Sequence, residues 1–374
     1  MTANTLVRRK NTLSFGWGTA IQAILMLFGL GLMINRWVFG LGATTALSDP
    51  RPWGLWISFD ILAGIALAAG AFTMAAIVYV FNVKEFHPLL RPTILTGFLG
   101  YSLAILGLTV DLGKPLDMWH MIIYWNVHAP LFEIGWCVMT YATVMALELS
   151  PMLFERLNWN VPLKLIRSIS IPLIFAGIVL STMHQSSLGT LYVEVPDQIH
   201  PLWWSIILPP MFYVSAIGAG MCMIIFESTI SGYGLNHKIP VKLLGKLAGW
   251  IPYVLGFYLV MRFLDLILTG DIGAMFAFDG PSIMFWVEIL LGYVAPIVFF
   301  SMPAVRKNRY RLFWVAFLGV FGLLLNRFNV SWFQLEGAPY FPAWQELFIS
   351  IGLIAFAMFV FNMAARFLPL FEEH

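Results

Sequence analysis

Charge is scarce in this sequence. Asp, Glu, Lys and Arg make up 11% of its 374 residues, against about 25% in an ordinary soluble domain. Hydrophobic residues make up 60%, and the mean hydropathy is +0.83. A water-facing globule is thereby excluded. Cysteine is scarcer still, with Cys137 and Cys222 alone, each inside an apolar stretch. A cubane iron–sulfur cluster takes four thiolates, so no such centre belongs to this chain itself. A cleavable leader is not expected either. Val7, Arg8, Arg9 and Lys10 precede an apolar segment too long for a signal peptide, and no convincing small-residue cleavage site follows. The first segment is therefore expected to stay as a helix. The net charge of +2 says little about partners, and nothing in the composition points to nucleic acid.

What the sequence does have is long apolar runs. A membrane-spanning helix needs about 20 such residues, and only a helix or a closed barrel satisfies its own backbone in lipid. Ten segments qualify: 14–38, 53–81, 93–110, 126–149, 163–186, 203–228, 246–268, 282–303, 311–327 and 343–367. The expected fold is an all-α polytopic membrane protein with about ten transmembrane helices. Lys and Arg set the orientation, because cytoplasmic loops collect them. With the N-terminus inside, sixteen of the 21 fall on inner segments. The other five, Arg36, Arg51, Lys114, Arg262 and Arg327, fall at or near outer ends. Both termini are then cytoplasmic. Internal repetition is faint. Helices two and six open on Pro52-Trp53 and Pro201-Leu202-Trp203, which hints at a duplicated four-helix unit.

An ionisable group at mid-membrane costs roughly 2.5–3.5 kcal/mol on insertion scales, so each one asks for a role. In helix two, Trp53, Trp56, Asp60 and Gly64 fall on one helical face. A carboxylate below two indole rings makes a pocket wall. The structural alternative is an aromatic belt with Asp60 paired to Arg262. In helix four, Glu133 and Glu148 are fifteen residues apart, about 22 Å along the axis and about 60° in azimuth. Cys137, Thr140 and Tyr141 lie between them near the same side. That makes a candidate proton-conducting stripe, with Glu227 on helix six at the same inner depth. The alternative is that Glu148 caps the inner surface. Arg262 and Asp265 are spaced to pair on helix seven.

The run TMHQSSLGTLY, 182–192, is the most polar stretch next to an apolar segment. It is expected to bring His184 and Gln185 to the outer end of helix five, level with Asp60 and Glu133. Imidazole can donate to a carbonyl oxygen and pass a proton near neutral pH. Of seven histidines, only His128 and His184 are placed within the membrane. A two-haem cytochrome needs four such ligands. A single haem between these two is the remaining geometric option. Trp53, Trp56, Asp60, His128, His184, Gln185, Arg262 and Asp265 are the candidate ligand contacts, and no metal site is expected.

Several long runs carry a resemblance over nearly the whole chain. They include PWGLWISFD (52–60), FHPLLRP (86–92), LFEIGWCVMTYATVMALELSPMLFERL (131–157), TMHQSSLGTLY (182–192), SIMFWVEILL (282–291) and YFPAWQELFISIG (340–352). DLGKP (111–115) is similar to a signature of the same superfamily. The chain resembles the membrane subunit of hydrogenase-2-type complexes, within the NrfD and polysulfide-reductase membrane-subunit superfamily.

The resemblance implies two four-helix bundles followed by two further helices, here 14–149, 163–303 and 311–367. It implies a haem-free subunit that reacts with menaquinone or ubiquinone in a bacterial or archaeal inner membrane, within anaerobic respiration. A periplasmic ferredoxin-like iron–sulfur subunit would exchange electrons with the quinone. Behind it would stand a catalytic subunit such as a NiFe hydrogenase or a multihaem cytochrome. Asp60 and His184 would contact the head-group oxygens, Trp53 and Trp56 would bound the ring, and Glu133 would relay protons. Two rival classes are a proton-coupled secondary transporter and a bare membrane anchor.

Overall fold

The computed structural model describes residues 16–235 and 239–370. Arg8, Arg9, Lys10, His237, Lys238 and His374 lie outside the described residues. Among the described residues, ten helices are long and apolar enough to cross a membrane. They are α1 (Trp17–Phe39), α2 (Trp56–Val80), α3 (Lys84–Asp111), α4 (Pro130–Leu157), α5 (Ser170–Val193), α6 (Leu208–Gly234), α7 (Val241–Thr269), α8 (Gly280–Ser301), α9 (Arg309–Phe333) and α10 (Trp344–Phe367). The chain is a multi-pass, all-α integral membrane protein. Among the described residues there is no strand, only two isolated bridges, Ser48 with Arg51 and Ile199 with Leu335. We call the face carrying these bridges outer and the opposite face inner.

All ten expected segments are present, with shifted ends. The third runs from Lys84, not 93: a 3₁₀ turn, Lys84–Phe86, leads into an α-helix at His87, whose first turn takes Pro88, where a missing N–H costs nothing. The fifth runs from Ser170 to Val193, not 163–186. Residues Asn160–Ser168 instead form a separate short helix with one charged face and one apolar face.

Neighbouring helices group as α2–α5 and as α6–α9, with α1 packed along α10. The two helices outside the bundles are the first and last in the chain. Close packing explains the pairing of α1 with α10. A β-carbon at Gly29 would lie 2.7 Å from the Gly352 Cα, so the two backbones touch. In membranes such contact holds helices together by van der Waals packing. The two bundles meet in the same way. A β-carbon at Gly220 of α6 would lie 2.5 Å from the Gly70 nitrogen of α2.

Three helices depart from α geometry between their outer ends and mid-membrane. α2 opens on a π-helical stretch, Trp56–Ala63. α8 contains another, Glu288–Val294, and α9 ends on a third, Asn329–Phe333. Such turns recur at functional sites because they swing side chains out of the ordinary register. Here they carry Asp60, Glu288 and Asn329.

At the outer face Arg51 is buried and donates to the carbonyls of Leu335, at 2.5 Å, and of Trp332. Burial lowers its pKa. Tyr340 donates to the Glu346 carboxylate and accepts from Leu55 N at 3.0 Å. Burial, then its bond to Glu346, raises the Tyr340 hydroxyl above its ordinary value. These contacts tie the loop after α9 to the loop before α2.

Candidate functional site

The polar run of α5 stays helical. Thr182, Ser186, Ser187 and Thr190 each bond back to the carbonyl four residues earlier, at 2.8–3.1 Å. That local bond is how hydroxyl side chains are accommodated inside a helix. Its consequence is a correction of depth. His184 lies nine residues from the outer end of α5, about 13 Å below it. It is a mid-membrane residue, fully buried.

Around His184 several polar atoms lack partners. Both ring nitrogens, Gln185 Oε1, Ser181 Oγ and Tyr101 Oη make no hydrogen bond among the described residues. Gln185 Nε2 donates to the Ile65 carbonyl at 3.2 Å. That carbonyl is free because Ala69 N bonds to Ala66 O instead, at 3.3 Å, a tightened step in α2. The Tyr101 ring of α3 lies edge-on to His184 at 5.5 Å and to Tyr141 of α4 at 4.4 Å. Next comes Gly177 of α5. A β-carbon there would lie 3.6 Å from Glu148 Oε1 and 3.7 Å from the Tyr141 ring. His184, Tyr101, Tyr141 and Glu148 thus follow one another from mid-membrane towards the inner end. Buried polar atoms without partners ask for water or a ligand, and hydroxyl and imidazole groups both donate and accept protons.

The expected stripe on α4 is only partly present. Tyr141 and Glu148 belong to this column. Thr140 instead bonds to Trp136 O at 2.7 Å. Glu133 is half-buried in the first turn of α4, and no hydrogen bond joins it to Asp60 or His184. Tyr101 and Ser181 were missed. Each sits in an apolar helix as a single polar residue, which periodicity does not distinguish from core.

Asp60 is buried on the outer half of α2, where it accepts a hydrogen bond from Ser350 of α10 at 2.6 Å. Gly107 of α3 lies against it. The expected partner Arg262 is elsewhere. It donates to the Leu202 carbonyl, while Asp265 accepts from Ser205 Oγ at 2.7 Å. Arg262 Nε and Asp265 Oδ2 stay unpartnered, so the two do not pair with each other. The loop between α5 and α6 takes both side chains. The two tryptophans also separate. Trp53 precedes α2 and meets the Tyr192 ring edge-on at 5.3 Å. Trp56 is buried against α1, α3 and α10, with Nε1 donating to Glu346 O at 3.3 Å.

The second bundle holds a network of its own. Glu288 of α8 is fully buried and accepts three bonds. They come from Trp203 Nε1 at 2.7 Å, Asn326 Nδ2 at 2.8 Å and Asn329 Nδ2 at 2.7 Å. Arg327 donates to Asn326 Oδ1 at 2.6 Å and to Ser215 Oγ at 3.0 Å, and lies 3.6 Å over the Phe212 ring. Tyr258 and Tyr293 stack at 4.5 Å beside it. Ser331 Oγ bonds to Ser58 Oγ at 2.8 Å and so links α9 to α2. Sequence reasoning noticed Arg327 only as a charge near an outer end.

His128 is exposed in the loop before α4, well above the enclosed His184. The two are not arranged as axial ligands of one haem. Glu227 of α6 faces α2 and α3 at the junction of the bundles. Among the described residues, no three of His, Cys, Asp and Glu come together to hold a metal ion.

The family model for polysulphide reductase, NrfD, matches residues 43–331. A probable Ni/Fe-hydrogenase 2 b-type cytochrome subunit of Escherichia coli is 37% identical over 94% of this chain and 93% of its own. The integral membrane subunit of menaquinone reductase from Nitratidesulfovibrio vulgaris is 31% identical over 96% and 90%. The integral membrane subunit of an Hdr-like menaquinol oxidoreductase from Archaeoglobus fulgidus is 25% identical over 87% of each.

Proposed function

The chain belongs to the NrfD family of integral membrane subunits, and on that premise we propose that it is the quinone-reactive subunit of a multi-subunit oxidoreductase. The observation that carries this reading is the buried column of His184, Tyr101, Tyr141 and Glu148, with its unpartnered polar atoms. An anchor has no use for such a column. Two relatives whose names include menaquinone or menaquinol support the choice of substrate.

Electrons come from outside this chain. A partner of the ferredoxin-like iron–sulfur type docks at the outer, periplasmic face. Behind it stands a catalytic subunit such as a NiFe hydrogenase or a multihaem cytochrome. Both termini face the cytoplasm, and the membrane is the inner membrane of a bacterium or archaeon. A quinone takes up two electrons and two protons to become quinol. This chain binds and orients the head group and delivers the protons, while the redox chemistry stays with its partners. Asp60 and His184 are the proton-bearing groups on the quinone side. Gln185 stands beside His184, and Trp53 borders the outer approach at the start of α2. Glu148 receives protons from the inner face, and Tyr141 and Tyr101 pass them outward. Arg262 and Asp265 tie α7 to the loop between α5 and α6.

The subunit is haem-free on this reading, although the name of the Escherichia coli relative includes a b-type cytochrome. The exposed loop position of His128 and the enclosed ring of His184 support that choice, and no step runs through a haem.

The test uses the purified complex. Quinone should be extractable with it. Asp60→Asn and His184→Ala should abolish quinone-linked turnover while the complex assembles and the donor still reduces a soluble dye. Full quinone turnover in both variants would overturn the placement. A wild-type complex with neither bound quinone nor quinone-linked turnover would favour a transporter or an anchor.

A further inference from the structure

Where the two bundles touch, a cavity of about 10 Å³ lies between α2, α3 and α6. That is the room for one water molecule, which needs roughly 10–15 Å³ on this measure and two to four polar partners. Gly70, Gly97 and Gly220 form part of its wall. Three polar side chains complete it: Thr93 and Thr96 from α3 and Glu227 from α6. Thr93 Oγ1, Thr96 Oγ1 and Glu227 Oε1 are buried, and none makes a hydrogen bond among the described residues. Thr93 itself is 4% exposed.

The threonines are unusual within this chain. Thr73, Thr143, Thr182, Thr190 and Thr229 all bond back to the carbonyl four residues earlier. Thr93 and Thr96 forgo that bond. A buried hydroxyl without a partner costs about 1–3 kcal/mol, so three such oxygens around one small cavity ask for a shared partner.

We propose that this cavity binds a single ordered water, held by Glu227, Thr93 and Thr96, which joins the second bundle's carboxyl group to the first bundle's α3. The inner end of α3 starts in a surface cleft of about 500 Å³ lined by Tyr79, Asn82, Lys84, Glu85 and His87. Thr93 lies six residues beyond His87, about 9 Å of helical rise. The water therefore stands between an inner-surface cleft and the bundle junction. Resting on the proposed function, it is a second inner station for protons, separate from Glu148.

The test reads the site without using quinone turnover. In a map of the intact complex fine enough to resolve waters, one spherical peak should lie at hydrogen-bond distance from all three oxygens. In the double variant Thr93→Val and Thr96→Val, which keeps side-chain shape, the peak should vanish. Infrared difference spectra supply a second readout. The Glu227 band, assigned with Glu227→Gln, should shift in the double variant. A cavity without a peak, or an unmoved band, would overturn the water site. So would a band that moves with sodium concentration, because the occupant would then be a cation. None of these outcomes depends on whether quinone is the substrate.

Discussion

Replacing Glu288 with an apolar residue should strongly destabilise the second bundle. The side chain accepts from Trp203, Asn326 and Asn329, and no water-facing path relieves them, because Glu288, Trp203 and Asn329 are all fully buried. Glu288→Leu leaves three donors unpaired. At about 1–3 kcal/mol each the loss is roughly 3–9 kcal/mol, against a typical total stability of about 5–15 kcal/mol. Glu288→Gln is milder. Its amide oxygen can keep the position of Oε2, which serves Trp203 and Asn329. Its NH2 then faces the Asn326 NH2, donor against donor. Asn326 cannot simply flip, because its Oδ1 already accepts from Arg327 at 2.6 Å. One lost bond costs about 1–3 kcal/mol. Adding Asn326→Asp should restore it, since the new carboxylate accepts from both the introduced amide and Arg327. Thermal unfolding in one detergent, followed by tryptophan fluorescence, should rank the wild type and the double variant above Glu288→Gln, with Glu288→Leu lowest. The double variant's recovery is the coupling term that a mutant cycle isolates. If Glu288→Leu melts with the wild type, or Asn326→Asp fails to help, the network does not hold this bundle together.

Two further outcomes follow from the packing and the column. Gly220→Ala puts a methyl group against the Gly70 backbone, which cannot rotate away. It should lower stability by about 1–3 kcal/mol, as overpacking does, and an unchanged melting temperature would show that the bundles do not touch there. Glu148→Gln should slow quinone-linked turnover in liposomes and shrink the pH response of a dye on the inner-face side. Unchanged turnover together with an unchanged pH response would remove Glu148 from the proton route.

Helix number was legible because apolar length is a property of each segment alone. Helix grouping was less so, because neighbours depend on small residues scattered far apart. Gly29 meets Gly352 and Gly70 meets Gly220, and neither pair is close in sequence. His184 lies deeper than expected because the Ser and Thr residues after it do not end the helix. Inside lipid they bond back to their own helix and prolong it. Arg262 and Asp265 were misread because i, i+3 spacing permits a pair without requiring one, and the loop at 199–207 offered each a better partner. Tyr101 and Tyr258 carried no signal beyond being single tyrosines in apolar helices.

Those tyrosines separate the two bundles by chemistry. Each four-helix unit brings a tyrosine from its second helix against one from its third, Tyr101 with Tyr141 at 4.4 Å and Tyr258 with Tyr293 at 4.5 Å. The fourth helix adds the difference. α5 supplies His184 and Gln185, whereas α9 supplies Asn326 and Arg327. In the second unit a carboxylate with three donors stands beside a buried guanidinium that bonds to one of those donors' residues. Moving a proton there would disturb charges that the low-polarity interior makes costly to leave uncompensated. The first unit's column contains no Arg or Lys, so no ion pair must break when a proton passes from Glu148 through the tyrosines. The same scaffold thus yields a fixed network on one side and a transmissive one on the other, which is why the proposed proton delivery is assigned to α2–α5.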